Sequence, residues 1–354
     1  MEKGFPLLFS PHNLENMRII LLGDKPVAHI GLSVVEAFLY GCRLKIGMVG
    51  AVGTHPGHRG KGLAGTLLSD CMRKLLLDGV DFVMISGIRS LYDRAGCAMA
   101  GRAYPYELTA QRARKALKRP AMGCGIREFD PSQLDELIPI YEAEPVRYLR
   151  TREEFATLLG EEAFARPKTF LLKCGGETAA YVCVETRWDE DALRIVEFAG
   201  SRAAIISAIP QLLKRLNVKA LRLMVPHQDH ELLGMLSPLG RPRPSNAVGT
   251  MRILNPKGLL EKLRPHLASL AGEHAAGLSF ASIGGCPSFV LDGERLALED
   301  EKALTWLLFG QPEEVEERFH RFLRPFSPQC GGELAGIISR ALPLPTFLYG
   351  LNYT

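Results

Sequence analysis

A glycine-rich, basic turn between an apolar strand and an amphipathic helix constrains this 354-residue chain more than any other feature. The turn spans 52–64 and follows an apolar run that is typical of a strand. The helix after it carries its apolar residues on one stripe: Leu63, Leu67, Leu68, Cys71 and Leu75. The first N–H groups of a helix lack partners within it, the helix dipole favours negative charge there, and glycine lets a phosphate come close. Since Arg59 and Lys61 add positive charge, the pattern predicts a site for a phosphorylated ligand.

Two common phosphate-binding motifs fit this turn poorly. A P-loop requires a glycine where His55 stands and a hydroxyl residue where Gly62 stands, although Gly60 and Lys61 match its later positions. The dinucleotide fingerprint matches the spacing of Gly60, Gly62 and Gly65, but a single match is weak. The acidic residue that should end a second strand is also missing at the expected offset.

The same residues resemble the acetyl-CoA pyrophosphate loop of the GNAT superfamily of N-acetyltransferases. The run Arg59–Ala64 has the family's form [QR]-x-x-G-x-[GA], and Val52-x-Thr54-x-Pro56 precedes it. The resemblance implies acetyl-CoA as co-substrate. It implies cofactor contacts at Val52, Thr54, Arg59, Gly60, Lys61, Gly62, Leu63 and Ala64.

A second apolar strand and a tyrosine extend the resemblance. The strand spans 81–87, and Tyr92-x-x-x-Gly96-Cys97 after it is similar to the family's Y-x-x-x-G-F helix, with Cys97 in place of the usual aromatic residue. The resemblance implies that Tyr92 protonates the leaving thiolate of CoA. It also implies that a backbone N–H near Val52 polarises the thioester carbonyl, and that the acceptor is a primary amine of a small molecule or peptide.

The order of the predicted elements indicates a mixed α/β (α+β) fold. Apolar segments on both sides of Asp24-Lys25 predict a hairpin, and the chain continues in the order β-β-β-α-β-α, which is the GNAT order. We therefore assign 1–112 to a GNAT acetyl-CoA-binding catalytic domain. We expect this domain to be shortened at its N-terminus, because the hairpin already begins at Met17.

The β-β-β-α-β order recurs after a predicted linker at 119–125. Residues 126–250 are expected to form a degenerate GNAT-like domain that has lost CoA binding, since 197–203 contains no R-x-x-G-x-A. The recurring order is read from a hairpin across Gly175-Gly176, a third strand, a helix at 202–216 and a fourth strand.

The last third, 251–354, resembles a sterol-carrier-protein-like module. Its predicted elements are strands at 278–283, 288–291 and 295–298 and a charged helix at 313–322. A GNAT domain, a degenerate GNAT domain and a sterol-carrier-like domain in this order resemble the Eis-type (enhanced intracellular survival) acetyltransferases.

The C-terminal segment 342–354 is unusually apolar for a chain end and contains two prolines. In Eis-type enzymes the C-terminal carboxylate reaches the active site of the first domain. The resemblance therefore implies that the Thr354 carboxylate acts as the base that removes a proton from the amine. Packing of this segment on its own domain is the open alternative.

Composition argues against several other functions. The net charge of +4 is too small to indicate a nucleic-acid partner, and no apolar run reaches membrane-spanning length. The eight cysteines are scattered without a C-x-x-C, so we expect reduced thiols in a cytoplasmic protein. His227-x-x-His230 lies in a polar turn without cysteine partners, so we expect no metal. A homo-oligomer is left open, as is a non-catalytic protein that binds CoA or an apolar ligand on the same scaffold.

Overall fold

A computed structural model describes residues 4–117, 123–160, 163–187, 191–246 and 249–353. The strands are β1 (Met17–Leu22), β2 (Lys25–Leu39), β3 (Cys42–Thr54), β4 (Phe82–Ile85), β5 (Ala98–Met99), β6 (Ala103–Leu108), β7 (Cys124–Glu128), β8 (Val146–Tyr148), β9 (Pro167–Cys174), β10 (Glu177–Glu185), β11 (Ala192–Gly200), β12 (Ala220–Pro226), β13 (Thr250–Ile253), β14 (Ser279–Ile283), β15 (Cys286–Leu291) and β16 (Glu294–Ala297). The α-helices are α1 (Leu63–Leu77), α2 (Ser90–Arg94), α3 (Ala110–Ala116), α4 (Leu134–Glu142), α5 (Arg152–Leu158), α6 (Arg202–Leu216), α7 (His230–Leu236), α8 (Pro256–Ala271), α9 (Glu301–Phe309) and α10 (Gly332–Ala341). Short 3₁₀ helices cover Pro11–Asn16, Pro56–His58, Pro131–Gln133, Ser237–Leu239, Glu273–Gly277, Glu317–Phe322 and Gly350–Asn352.

The chain divides into two compact units, each built from separate stretches of sequence. The first-sheet unit consists of the described residues of Leu8–Arg102 and Val248–Pro345. The second-sheet unit consists of those of Ala103–Ala247 together with Met1–Leu7 and Thr346–Tyr353. In the described part of the chain no helix is long and apolar enough to cross a membrane.

The first-sheet unit is organised around strands in the order β1-β2-β3-β4-β13-β5. β1, β2 and β3 are antiparallel neighbours, whereas β3 and β4 are parallel and are joined through α1. The predicted hairpin is confirmed, because Leu22 pairs with Lys25 across the turn. The apolar stripe of α1 is confirmed as well, since it is buried in one core with β2, β3 and β4: Leu67, Leu68, Cys71 and Leu75.

The second-sheet unit repeats this topology. Its strands run in the order β6-β12-β11-β10-β9-β7. β9, β10 and β11 are antiparallel neighbours, and β11 and β12 form a parallel pair joined through α6. Buried residues of α6, among them Ile205, Ile209 and Leu212, share one core with these strands. The predicted β-β-β-α-β order is therefore confirmed for β9 to β12, and it matches β1 to β4 in strand order and direction.

Both sheets also include strands from distant parts of the sequence. β6 pairs antiparallel with β12, although it lies within the predicted domain 1–112. β13 pairs antiparallel with β4, although it follows the segment that forms the second sheet. Both strands therefore pair with strands on the other side of the predicted boundaries at 112 and 250. The division into 1–112, 126–250 and 251–354 stays a prediction.

Residues beyond β13 form α8, α9, α10 and a small antiparallel sheet in the order β14-β15-β16. The three strands predicted there are confirmed within a few residues. The predicted charged helix at 313–322 is wrong in its extent, since only Glu317–Phe322 is helical and it is a 3₁₀ helix. The predicted linker at 119–125 is also too long, because Cys124 begins β7; residues 119–122 lie outside the described residues.

A disulfide joins Cys124 of β7 to Cys174 of β9, so the prediction that all eight cysteines are reduced is wrong. The two residues are register partners on neighbouring strands, and their Cα atoms lie 4.4 Å apart, a separation that a disulfide can span. The pairing depends on strand register, which cysteine spacing alone does not reveal. The other described cysteines are free.

Candidate active site

The parallel pairing of β3 and β4 ends next to a β-bulge in β3. Their parallel pairing runs from Ile46↔Phe82 to Val49↔Ile85, while β3 continues to Thr54 beside β2. The register of β2 and β3 shifts between His29 and Gly31, and Ala51 has a left-handed φ of 49°. A bulge bends its strand away from the regular ladder. Because β4 ends at Ile85 while β3 continues to Thr54, the edge of β3 beyond Val49 is not paired with β4. We call the space along this edge, past the last pair, the wedge between β3 and β4.

The turn after β3 leads into the N-terminus of α1, which no side chain caps. Gly60 and Gly62 have φ values of 76° and 77°, a backbone conformation that favours glycine, and Gly62 is the N-cap residue. The first bond within the helix is donated by Thr66 N to Gly62 O, at 3.1 Å. The N–H groups of 63–65 therefore point from the helix end without a partner inside the helix.

A cleft of about 570 Å³ lies over this helix end. It is lined by Thr54, His58, Arg59, Gly60, Gly62, Leu63, Ala64, Gly65, Leu68, Ser69, Leu91, Arg94 and Ala95. Six of the eight predicted cofactor residues are in this set. The other two lie nearby: Val52 sits in the bulge and packs on the core, and Lys61 is an exposed residue of the turn. Arg59 is tied to the end of β3, since its Nε donates to Thr54 O at 3.4 Å.

Tyr92 lies on α2, directly after the strand that borders the wedge. Its side chain is only 3% exposed and belongs to the core shared with α1. The ring covers Gly87, where a Cβ atom would come within 2.9 Å of Cε2, so this position requires glycine. Burial raises the pKa of Tyr92, and the positive charge of Arg89 lowers it only in part. The phenol is therefore protonated at neutral pH and can donate a proton.

Burial also keeps the neighbouring thiol inert, because it raises the pKa of Cys97 to about 12. The thiolate is the nucleophilic form of cysteine. Cys97 is therefore a packing residue at this site, as expected for a position that the resemblance assigns to an aromatic side chain.

Two side chains near the cleft and the wedge were missed by the sequence analysis. Arg94, two residues after Tyr92, lines the cleft and adds a second arginine to it. His29 of β2 is half-buried, and its Nε2 atom lies 2.7 Å from the position of a Cβ atom on Gly53, in the part of β3 beyond the bulge. Arg94 could have been identified from its place in the Y-x-x-x-G helix, whereas the contact of His29 depends on strand register.

Protein side chains already bind donors at the corresponding helix end in the second-sheet unit. Ser201 caps α6 by accepting from Ala204 N at 3.2 Å. A Glu144 oxygen accepts from Gly200 N at 2.8 Å and from Arg202 at 2.6 Å, and Arg202 also binds Asp229. Two partly buried carboxylates at this end repel a phosphate and neutralise the arginine. This arrangement supports the prediction that 126–250 does not bind CoA.

Within the C-terminal segment, residues 342–345 belong to the first-sheet unit, where Leu344 N donates to Leu308 O at 2.7 Å, whereas Thr346–Tyr353 belong to the second-sheet unit. Thr346, Phe347, Leu351 and Asn352 are buried there. Thr354 lies outside the described residues, so its role as base stays a prediction. Among the described residues there is no cluster of three or more side chains that could hold a metal ion.

Comparison with known proteins gives one family match and several structural likenesses. Residues 7–100 match the family described as acetyltransferase (GNAT) domain. Eis1 from Mycobacterium abscessus shares 15% identity, with 94% of this chain and 88% of that chain covered at a TM-score of 0.59. GCN5-related N-acetyltransferases from Kribbella flavida (15% identity, 92% and 85% covered, TM-score 0.57) and Anabaena variabilis (16%, 86% and 84%, 0.56) are similar too. These likenesses establish a mixed α/β fold of the GNAT type. No curated protein sequence matches this chain.

Proposed function

We propose, from the premise that residues 7–100 form a GNAT acetyltransferase domain, that this protein transfers the acetyl group of acetyl-CoA to a primary amine. The observation that carries the proposal is the succession of three features along one stretch of chain. These are the wedge between β3 and β4, the uncapped end of α1 with two arginines in its cleft, and the buried, protonated Tyr92.

The cofactor is held mainly by backbone groups. We place its pyrophosphate on the N–H groups of 63–65, where the helix dipole and the open donors favour an anion. Arg59 and Arg94 supply formal positive charge in the same cleft. The pantetheine arm follows the free edge of β3, since an extended chain can pair with an exposed strand edge through its amide groups.

The amine must first lose a proton, because an alkyl ammonium with a pKa of about 10.4 has no free electron pair. Its nitrogen then attacks the thioester carbonyl and forms the new C–N bond, while a backbone N–H of β3 near Val52 stabilises the oxyanion. The C–S bond breaks, and the Tyr92 O–H gives its proton to the departing thiolate. The proton released by the nitrogen restores the phenol through solvent, so that the products are an amide and the CoA thiol.

For the base we propose the Thr354 carboxylate. His29 is a second group to test, since it lies against Gly53 in the part of β3 that borders the wedge. Two changes distinguish these candidates. A C-terminal extension moves the Thr354 carboxylate, and His29→Gln removes the imidazole. The change that abolishes turnover identifies the base.

We further propose that 126–250 is a GNAT-like copy without cofactor and that 251–354 contains a sterol-carrier-like module. The first proposal is supported by the shared topology of the two sheets and by the carboxylates at the end of α6. The second is supported by the antiparallel sheet β14-β15-β16 with α8 and α10 packed against it.

A thiol-release assay with acetyl-CoA and a panel of primary amines tests the proposed activity. We expect amine-dependent release of CoA thiol, with an acetylated product of matching mass. Parallel assays with propionyl-CoA show whether the acyl group is selected. A protein that binds CoA but releases no thiol with any amine, lysine peptides included, would instead be a non-catalytic binding protein on this scaffold.

A further inference from the structure

The helix that carries Tyr92 is too short to hold its own position. α2 has only five residues, Ser90–Arg94. Arg89 stands at its N-cap, where Ser, Thr, Asp or Asn would stabilise a helix end. Isolated helices shorter than about 12–15 residues are marginal in water, so a helix of this length depends on contacts with the rest of the fold. Those contacts therefore determine where the Tyr92 hydroxyl lies.

Three successive residues of α2 point to different surroundings, because neighbouring residues of a helix do not share a face. Tyr92 is buried in the core shared with α1. Asp93 faces α9, where its Oδ1 accepts from Lys302 Nζ at 2.5 Å. Arg94 lines the cofactor cleft. A shift of α2 would therefore move the phenol and the arginine together.

Two basic residues from a distant part of the sequence bind the C-terminal end of α2. Lys302 of α9 makes the ion pair with Asp93, and the two side chains are 22% and 32% exposed. Arg252 of β13 donates from Nη1 to Ala95 O at 2.8 Å. Ala95 is the C-cap residue of α2, at the end where the helix dipole favours positive charge. Both bonds therefore stabilise the helix in this one position.

The elements that carry these two residues are themselves held by hydrogen bonds. β13 pairs antiparallel with β4 along its whole length. Thr250 of β13 also donates from Oγ1 to the carbonyl of Gly87, the glycine beneath the Tyr92 ring, at 3.1 Å. In α9, Trp306 is buried, and its indole N–H donates to Met99 O at 2.8 Å. β13 and α9 are thus fixed against the sheet from which α2 extends.

We propose that Arg252 and Lys302 are positioning residues of the active site. They hold α2 so that the Tyr92 hydroxyl meets the CoA sulfur and the Arg94 guanidinium meets the phosphates. They are separate from the residues that line the cofactor cleft and act through α2. This inference rests on the proposed function, since it takes Tyr92 as the acid and Arg94 as a phosphate contact.

Hydrogen exchange measured by mass spectrometry on the full-length protein tests whether the two residues hold α2. Arg252→Met and Lys302→Met keep an unbranched side chain but remove the donor. Each should speed exchange of the amides of 92–97 about tenfold or more, as expected for losing a hydrogen bond to a charged group. Wild-type exchange of 92–97 in both variants would overturn the proposal.

The matched control is Lys74→Met. Lys74 of α1 makes an ion pair of the same length, 2.5 Å, with Asp78, and these side chains are 18% and 35% exposed. The control therefore loses a similar ion pair in the same unit, away from α2. Exchange of 92–97 should stay at the wild-type level in it.

Steady-state kinetics test the link to Tyr92. Arg252→Met and Lys302→Met should each lower kcat about tenfold or more, because small misplacements of a reacting group are costly. Lys302→Arg, which keeps the charge and a donor, should retain most of the wild-type kcat. In a Tyr92→Phe background neither methionine substitution should lower the remaining kcat, since the hydroxyl that it positions is gone. An equal loss in both backgrounds would mean that the two residues only stabilise the fold.

Calorimetry tests the link to Arg94 without turnover. Arg252→Met and Lys302→Met should weaken CoA binding by as much as Arg94→Ala does, about tenfold, and should cause no further loss in an Arg94→Ala background. Unchanged affinity in both variants would overturn this link. If the wild-type protein acetylates no amine, the proposed function and the link to Tyr92 both fail. Exchange and calorimetry then decide whether the two residues hold α2 at the cofactor cleft.

Discussion

At the scale of single residues, Tyr92 is the group whose environment most clearly suits a step in the reaction. Because burial raises its pKa above the ordinary value of about 10, the phenol stays protonated across the neutral range and imposes no alkaline limit on the rate below that value. We expect Tyr92→Phe to lower kcat by about 10²-fold or more, as for loss of a general acid, with unchanged acetyl-CoA affinity. Thiol-release kinetics and calorimetry measure the two quantities. An unchanged kcat would remove Tyr92 from the mechanism.

Arg59 and Arg94 provide a second prediction at this scale. Both line the cleft at the end of α1. Each substitution by alanine should weaken CoA binding about tenfold, the loss expected for a hydrogen bond to a charged group. The effect should shrink at high salt, because exposed charges are screened. Lys25→Ala, at the exposed first residue of β2, is the control. Equal losses in all three variants, measured by calorimetry, would contradict a specific phosphate contact.

At the scale of elements, substitutions of the two glycines that flank α1 distinguish the effect of backbone strain on stability from an effect on CoA binding. Gly62 at its N-terminus and Gly79 after its C-terminus have φ values of 77° and 73°, and a Cβ atom would meet no neighbour at either. Replacement by alanine should cost about 1–2 kcal/mol in each case, because both positions are left-handed. Both variants should therefore lower the melting temperature similarly, but Gly62→Ala alone should weaken CoA binding. Equal affinities for CoA would mean that the helix end is not the phosphate site.

At the scale of the whole molecule, two sheets of the same topology carry helix ends of opposite character. The end of α1 offers open N–H groups and arginines, whereas that of α6 is capped by Ser201 and faces Glu144. We therefore expect one molecule of acetyl-CoA to bind per chain in isothermal titration calorimetry. A stoichiometry of two would contradict the account of the second sheet.

Local patterns predicted much of this architecture, because hairpins and amphipathic helices follow from residue periodicity. The turn at 52–64 and the helix after it were accessible for that reason, whereas Tyr92 was found only through the resemblance to the family's Y-x-x-x-G-F helix. Non-local pairings were not accessible: β6 and β13 join sheets far from their sequence neighbours. The buried pair of Arg150 and Glu197 was also hidden, since charged residues are normally expected at the surface. His29 and the disulfide of Cys124 were missed because both depend on strand register.

The central claim is that the wedge between β3 and β4 and the end of α1 together form an acetyl-CoA site that reacts beside Tyr92. A crystal structure of the full-length protein with CoA tests it most directly. The account predicts pyrophosphate oxygens within hydrogen-bonding distance of the N–H groups of 63–65, about 2.7–3.2 Å. It also predicts the pantetheine arm along β3 beyond Val49, with the sulfur next to the Tyr92 hydroxyl. CoA bound at the end of α6, or in the first cleft with its sulfur away from Tyr92, would contradict it.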